Sequence, residues 1–123
     1  DAKPGAVLAT DKSAGLNAED ARAITEACPY NIPRYDAAAK RITKCDMCSD
    51  RVEAGLPPMC VKTCPTGAMV FDERDALLTL AQQRLAAARE RFPKAHLVDV
   101  EDVSVIYLLA EEKEHYYEHA SFM

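Results

Sequence analysis

Whatever chemistry this sequence carries rests on five cysteines. Cys45, Cys48, Cys60 and Cys64 follow the spacing C-x2-C-x11-C-x3-C-P, and the fifth, Cys28, is followed by proline just as Cys64 is. Thiolates are soft donors suited to zinc or to iron–sulfur clusters. A disulfide framework favours an even number of cysteines dispersed along the chain, and a thioredoxin-type pair needs a βαβ context that this sequence lacks. Two readings remain open. Cys45, Cys48, Cys60 and Cys64 have the count and pairing to hold one tetrahedral Zn²⁺, giving a zinc-stabilised binding module. Alternatively, the thiolates ligate [4Fe–4S] clusters. The proline after both Cys28 and Cys64 favours clusters, as does Cys28 itself, which a single zinc site does not use.

The cluster reading explains the shape of the motif. Bacterial cluster proteins use C-x2-C-x2-C-x3-C-P, in which the last cysteine ligates a neighbouring cluster. Here the same string carries nine further residues between the second and third cysteines. Ligands two residues apart on a tight turn grip two corners of a cubane, and nearby backbone N–H groups offset the negative charge of its sulfurs. With Cys64 assigned to a neighbour, Cys45, Cys48 and Cys60 make three ligands where four are needed. Cys28 is then another fourth ligand whose companions are elsewhere. Five cysteines thus contribute to three clusters, and polypeptide outside these residues is expected to supply the rest.

Composition narrows the partners. The net charge of −5 over 123 residues argues against nucleic acid, because phosphate binding wants clustered Lys and Arg. The longest apolar run, Val103 to Ala110, is far short of a membrane span. The chain opens at Asp1 without an initiator Met or a signal-peptide pattern, and a processed or truncated product is expected.

The elements that must position the cysteines follow from capping, turn and periodicity signals. Gly5 to Thr10 reads as a short strand. Asn17 caps a helix whose first turn carries Glu19 and Asp20, and Cys28-Pro29 stops it. Cys28 to Arg34 is extended, and Arg34-Tyr35 pairs with Lys40 to Lys44 as a hairpin. Asp46 to Ala54 reads as a helix closed by Gly55, Cys60 to Cys64 as a tight turn, and Ala68 to Phe71 as a strand. Asp72 caps the longest helix, Glu73 to Phe92, with Leu77, Ala81, Leu85, Ala88 and Phe92 on its apolar face. Pro93 ends it, and Val103 to Leu109 is a last strand before an acidic, aromatic tail.

Lys44, Arg51 and Lys62 flank ligands and read chiefly as solvated charges. Met47 and Met59 shield the site. His115 and His119 stand four apart among Glu111, Glu112, Glu114 and Glu118, a solvated or interface face. Tyr107, Tyr116 and Tyr117 suit either a core or an interface. None of these is a catalytic candidate.

At Cys28-Pro-Tyr-Asn-Ile-Pro-Arg34, Lys44-Cys-Asp-Met-Cys-Ser-Asp-Arg51 and Cys60-Val-Lys-Thr-Cys-Pro-Thr-Gly-Ala68 the sequence resembles the ferredoxin-like subunits of molybdenum and tungsten bis-pterin oxidoreductases. The closest likeness is to the small subunit of soluble formate dehydrogenases of sulfate-reducing bacteria. The resemblance implies an α+β, ferredoxin-like cluster-binding domain over residues 1–71 and a helix–strand extension over residues 72–123. It implies Cys28, Cys45, Cys48, Cys60 and Cys64 as ligands of up to three [4Fe–4S] clusters, shared with an N-terminal half that is missing here. It further implies a catalytic partner holding the molybdenum or tungsten pterin, a cytochrome or quinone-linked acceptor, and a periplasmic location, with the cytoplasm as the alternative. A partner acting on sulfur compounds, nitrate or dimethyl sulfoxide is the second redox reading.

Overall fold

A computed structural model describes residues 7–101 and 103–116. The chain divides into two units, one up to Leu56 and one from Pro57 onward. The architecture is α+β, with helices and two small antiparallel sheets among the described residues.

In the first unit, α1 spans Ala18–Ala27. Asn17 caps it as its sequence predicts: the side-chain oxygen accepts the Asp20 N–H at 2.8 Å, and its amide donates to the Asp20 carboxylate at 2.7 Å. This reciprocal arrangement satisfies an otherwise orphaned N–H of the first turn. Ala21 is fully buried, and α1 packs on the first strand of the hairpin. That hairpin is β1, Arg34–Asp36, with β2, Arg41–Thr43, in the register Tyr35↔Ile42. The Asp36 carboxylate turns the chain by accepting the N–H groups of Ala38 and Ala39 at 3.0 Å each, an Asx-type turn. Tyr35 donates its hydroxyl to the Leu16 carbonyl at 2.9 Å, tying the sheet to the approach to α1.

The short helix α2, Ser49–Glu53, closes the first unit. Its expected start at Asp46 is corrected to Ser49, because Met47 and Cys48 have φ of 55° and 53° and a right-handed helix cannot run through them. Its end is as expected. Gly55 has φ +72°, its N–H reaches the Val52 carbonyl at 3.0 Å, and the Leu56 N–H reaches the Arg51 carbonyl at 2.8 Å. That is a Schellman ending.

The second unit contains α3, Met59–Thr63, where the sequence suggested only a turn, and α4, Arg74–Arg91. On α4, Leu77, Ala81, Leu85 and Ala88 are turned inward as the periodicity predicts, with Leu85 buried. Phe92 is exposed instead and ends the helix beside Pro93, its ring under the Arg91 guanidinium at 5.5 Å. Glu73 occupies the cap position, and Asp72 accepts its N–H at 2.8 Å.

The inner face of α4 packs on β3, His96–Val98, and β4, Tyr107–Leu109, which pair antiparallel with Leu97 opposite Leu108. No periodic signal announces the three-residue β3, and the expected strand from Val103 shortens to β4. Arg74 braces the connection between them by donating to the Val100 and Val103 carbonyls. The other two expected strands do not form among the described residues. Val7 to Thr10 is irregular, and Gly5 and Ala6 lie outside the described residues. Ala68 to Phe71 is also irregular and exposed. Neither segment has a pairing strand among the described residues, and an unpaired strand leaves its backbone groups unmet.

Leu85→Ala is expected to destabilise the second unit by about 2–4 kcal/mol through a cavity under α4. Gln82→Ala, on the solvent side, should stay within about 0.5 kcal/mol. Amide hydrogen exchange along α4 checks this, and equal protection in the two variants would remove Leu85 as its anchor.

Candidate metal centre

The loop from Lys44 to Cys48 begins where β2 ends. Lys44 donates its ammonium to the Cys45 carbonyl at 2.7 Å and to the Val7 carbonyl, fastening the start of the described chain to the first candidate ligand. Cys45 is exposed, and the Met47 N–H points at its sulfur over 3.4 Å. The Asp46 carboxylate takes the Cys48 N–H at 2.8 Å. Two successive left-handed residues then set Cys48 at the head of α2, where its carbonyl accepts the Val52 N–H at 3.0 Å. The two-residue spacing thus forms a tight loop with one backbone donor already aimed at a sulfur.

Cys60 lies in the first turn of α3 and Cys64 at its C-terminal cap. Residues four apart on a helix are neighbours on one face. Cys60 is exposed and Cys64 half-buried.

Cys28 and Cys64 prove to be copies of one local structure. Each caps the C-terminus of a helix, with φ,ψ of −85°, 113° at Cys28 and −73°, 106° at Cys64. Each N–H bonds the carbonyl three residues earlier, Thr25 and Val61, at 3.3 Å. Each is followed by proline, and each carbonyl accepts the N–H three residues later: Asn31 at 3.0 Å and Gly67 at 3.4 Å. Those two residues are both left-handed, with φ of 51° and 66°, the region that Gly and Asn tolerate best. The Cys-Pro dipeptide was visible in the sequence. The shared turn was not, because Asn31 and Gly67 differ as letters and agree only in conformation.

The electrostatics single out Cys64, whose thiol is pulled down from 9.0 to about 7. The Thr66 hydroxyl, 3.5 Å from the sulfur, is the largest cause, followed by the Met69 N–H; partial burial opposes, and the N–H groups of Ala68 and Thr66 add to the lowering.

All five cysteines are free thiols, none engaged in a disulfide. Cys28, Cys45 and Cys48 belong to the first unit and Cys60 and Cys64 to the second. Among the described residues no three His, Cys, Asp or Glu side chains gather around one point to hold a single metal ion. Left-handed loop residues, backbone donors aimed at sulfur and a thiol poised to ionise suit the anionic thiolate–sulfide surface of an iron–sulfur cluster. Of the flanking residues, Met47 and Lys44 are half-buried, whereas Lys62 and Met59 are exposed. His115 is exposed in a 3-10 turn at Lys113–His115, and His119 and Tyr117 lie outside the described residues. Tyr116 serves its own unit, accepting the N–H groups of Ala110 and Glu111 on its hydroxyl at 2.9 and 3.1 Å.

Comparison with known proteins agrees with this chemistry. The chain is 74% identical over all 123 residues to formate dehydrogenase 2 subunit beta (cytochrome c-553) of Nitratidesulfovibrio vulgaris, covering 56% of that protein. It is 43% identical over 116 residues, 94% of its length, to the formate dehydrogenase subunit beta of Megalodesulfovibrio gigas, covering 53% of that one. Over 53 residues, 43% of its length, it is 49% identical to a subunit of the anaerobic dimethyl sulfoxide reductase of Haemophilus influenzae, covering 26% of that subunit. The chain therefore spans about half the length of the two formate dehydrogenase relatives. Residues 1–74, which contain every cysteine, match the 4Fe-4S dicluster domain, and the chain belongs to that iron–sulfur family.

Proposed function

We propose that this chain is an electron-relay part of a formate dehydrogenase, passing single electrons between a pterin-bearing catalytic subunit and an external acceptor. The observation that carries the reading is the 74% identity, over the whole chain, to a formate dehydrogenase beta subunit. Cys45, Cys48 and Cys60 serve one [4Fe–4S] cluster. Cys64 serves a second and Cys28 a third, in keeping with the matched turns that hold them. The remaining thiolates come from an N-terminal cluster-binding half. A bound cluster supplies one-electron chemistry. The chain's own residues hold it by sulfur, aim backbone N–H groups at it and limit its contact with water, and none of them acts on formate.

The partner holds molybdenum or tungsten on its pterin. A cytochrome is the favoured acceptor, because the name of the 74%-identical relative carries cytochrome c-553; a quinone-linked module is the alternative. Location is periplasmic on this reading. Residues 1–71 form the cluster-binding segment and residues 72–123 an extension, a boundary close to the end of the family match at residue 74 and distinct from the structural division after Leu56. The same role beside a dimethyl sulfoxide reductase is the second reading, favoured by the shorter likeness to a subunit of that enzyme.

Anaerobic purification of the full complex tests the assignment. Cys45→Ala should remove about four irons per complex, the content of one cubane. Formate-dependent reduction of the physiological acceptor should fall more than about tenfold, while dye reduction at the catalytic subunit persists. Zinc with negligible iron and sulfide would end the relay reading.

Iron binds the thiolate, so the ionisation of Cys64 matters before assembly. In the cluster-free chain, alkylation of Cys64 should reach half its maximal rate near pH 7. The lowered pKa populates the nucleophilic form at neutral pH, and acidification below that midpoint slows the reaction. Thr66→Val should move the midpoint upward. Mass-resolved labelling against pH checks it, and an unmodified-chain midpoint near the ordinary value of about 8.5 would contradict it.

A further inference from the structure

The two matched cysteine turns differ in which side chain can reach the sulfur. At the second position after the cysteine, the Cys64 turn has Thr66 and the Cys28 turn has Tyr30. A β-hydroxyl is therefore particular to the Cys64 turn, and it lies 3.5 Å from the sulfur. We propose that Thr66 is a positioning residue that sets the reduction potential of the cluster ligated by Cys64, through a hydrogen bond from its hydroxyl to the Cys64 sulfur. The inference rests on the relay function proposed above.

The direction of that bond is decided by the ligand. In the free thiol either atom can donate, but an iron-bound thiolate has no proton, so the hydroxyl must be the donor. A β-branched side chain is stiff at χ1, which keeps the hydroxyl over the turn instead of sweeping through solvent. The backbone of Thr66, Ala68 and Met69 also favours the charged form of this sulfur, and that contribution comes from the backbone whatever side chains the turn carries. The Thr66 hydroxyl is the one donor that a substitution can remove while leaving the turn's backbone donors in place. Reduction adds negative charge that is shared with the thiolate sulfurs, and a donor to sulfur stabilises the reduced form more than the oxidised form. Thr66 accordingly raises the potential of one cluster and leaves the others alone.

The test is a redox titration of the intact complex followed by electron paramagnetic resonance, with iron and sulfide measured on each sample. Thr66→Val, which keeps the shape and removes the hydroxyl, should shift one cluster's midpoint to a more negative value and leave the remaining midpoints in place. Thr66→Ser should hold the original midpoint. A merely structural threonine would change cluster content without moving a midpoint in this pattern, and Thr66→Ala gives the same comparison if the valine variant does not assemble. Unchanged midpoints in a hydroxyl-free variant with full iron and sulfide would overturn the role of Thr66 while leaving the relay intact. An original complex without iron or sulfide would overturn both.

Discussion

The constraint from which the rest follows is the cost of holding negative sulfur at a protein surface. A thiolate cannot donate a hydrogen bond, and a cluster multiplies the number of such sulfurs. The chain must therefore present N–H and O–H groups where a folded protein would ordinarily pair them internally. Its solution is a set of left-handed residues at the cysteine loops: Met47, Cys48, Asn31 and Gly67. Each reverses the local course of the backbone and ends or prevents regular structure beside a thiol. The loop at Met47 shows the use of such a backbone, its N–H pointing at the Cys45 sulfur over 3.4 Å.

This explains what the sequence disclosed and what it hid. Asn17, Gly55 and the stripe Leu77, Ala81, Leu85 and Ala88 were readable because caps and helical periodicity are local signals. The hairpin begun by Arg34–Asp36 was readable because Asp36 carries its own turn chemistry. The two strands placed at Gly5 to Thr10 and Ala68 to Phe71 were read from apolar runs alone, and a run says nothing about whether a partner strand exists. His96–Val98 escaped for the opposite reason: three residues contain no measurable period, and its pairing with Tyr107–Leu109 is made across a loop of unrelated composition. The cysteines themselves could be picked out as candidate ligands from spacing. Which donors surround each sulfur depends on backbone signs that no residue letter encodes, apart from the glycines.

The extra residues between Cys48 and Cys60 also acquire a reason. They include a complete helix, Ser49–Glu53, finished by a Schellman ending, and then the stiff Pro57-Pro58 pair. A compact insertion that satisfies its own backbone bonds adds length without adding a floppy loop, whose closure entropy would count against gathering the ligands. Charge is handled in a similarly local way. Lys44 commits its ammonium to the carbonyls of Cys45 and Val7, so its positive charge is fixed beside a candidate ligand by hydrogen bonds instead of ranging through solvent.

The short helix α3 bears on the proposed relay. Cys60 and Cys64 are four residues apart, which on an α-helix is a rise of about 6 Å. On the ligand assignment proposed here these two sulfurs belong to different clusters. One helical turn then dictates how far apart those clusters can be, because each is anchored to an end of the same rigid segment. A flexible loop carrying the same two cysteines would let the separation wander, and electron transfer falls steeply with distance. Replacing the expected turn at Cys60 to Cys64 by a helix is thus more than a detail of assignment: on the proposed ligand assignment it converts a spacing in the sequence into a fixed length between two clusters.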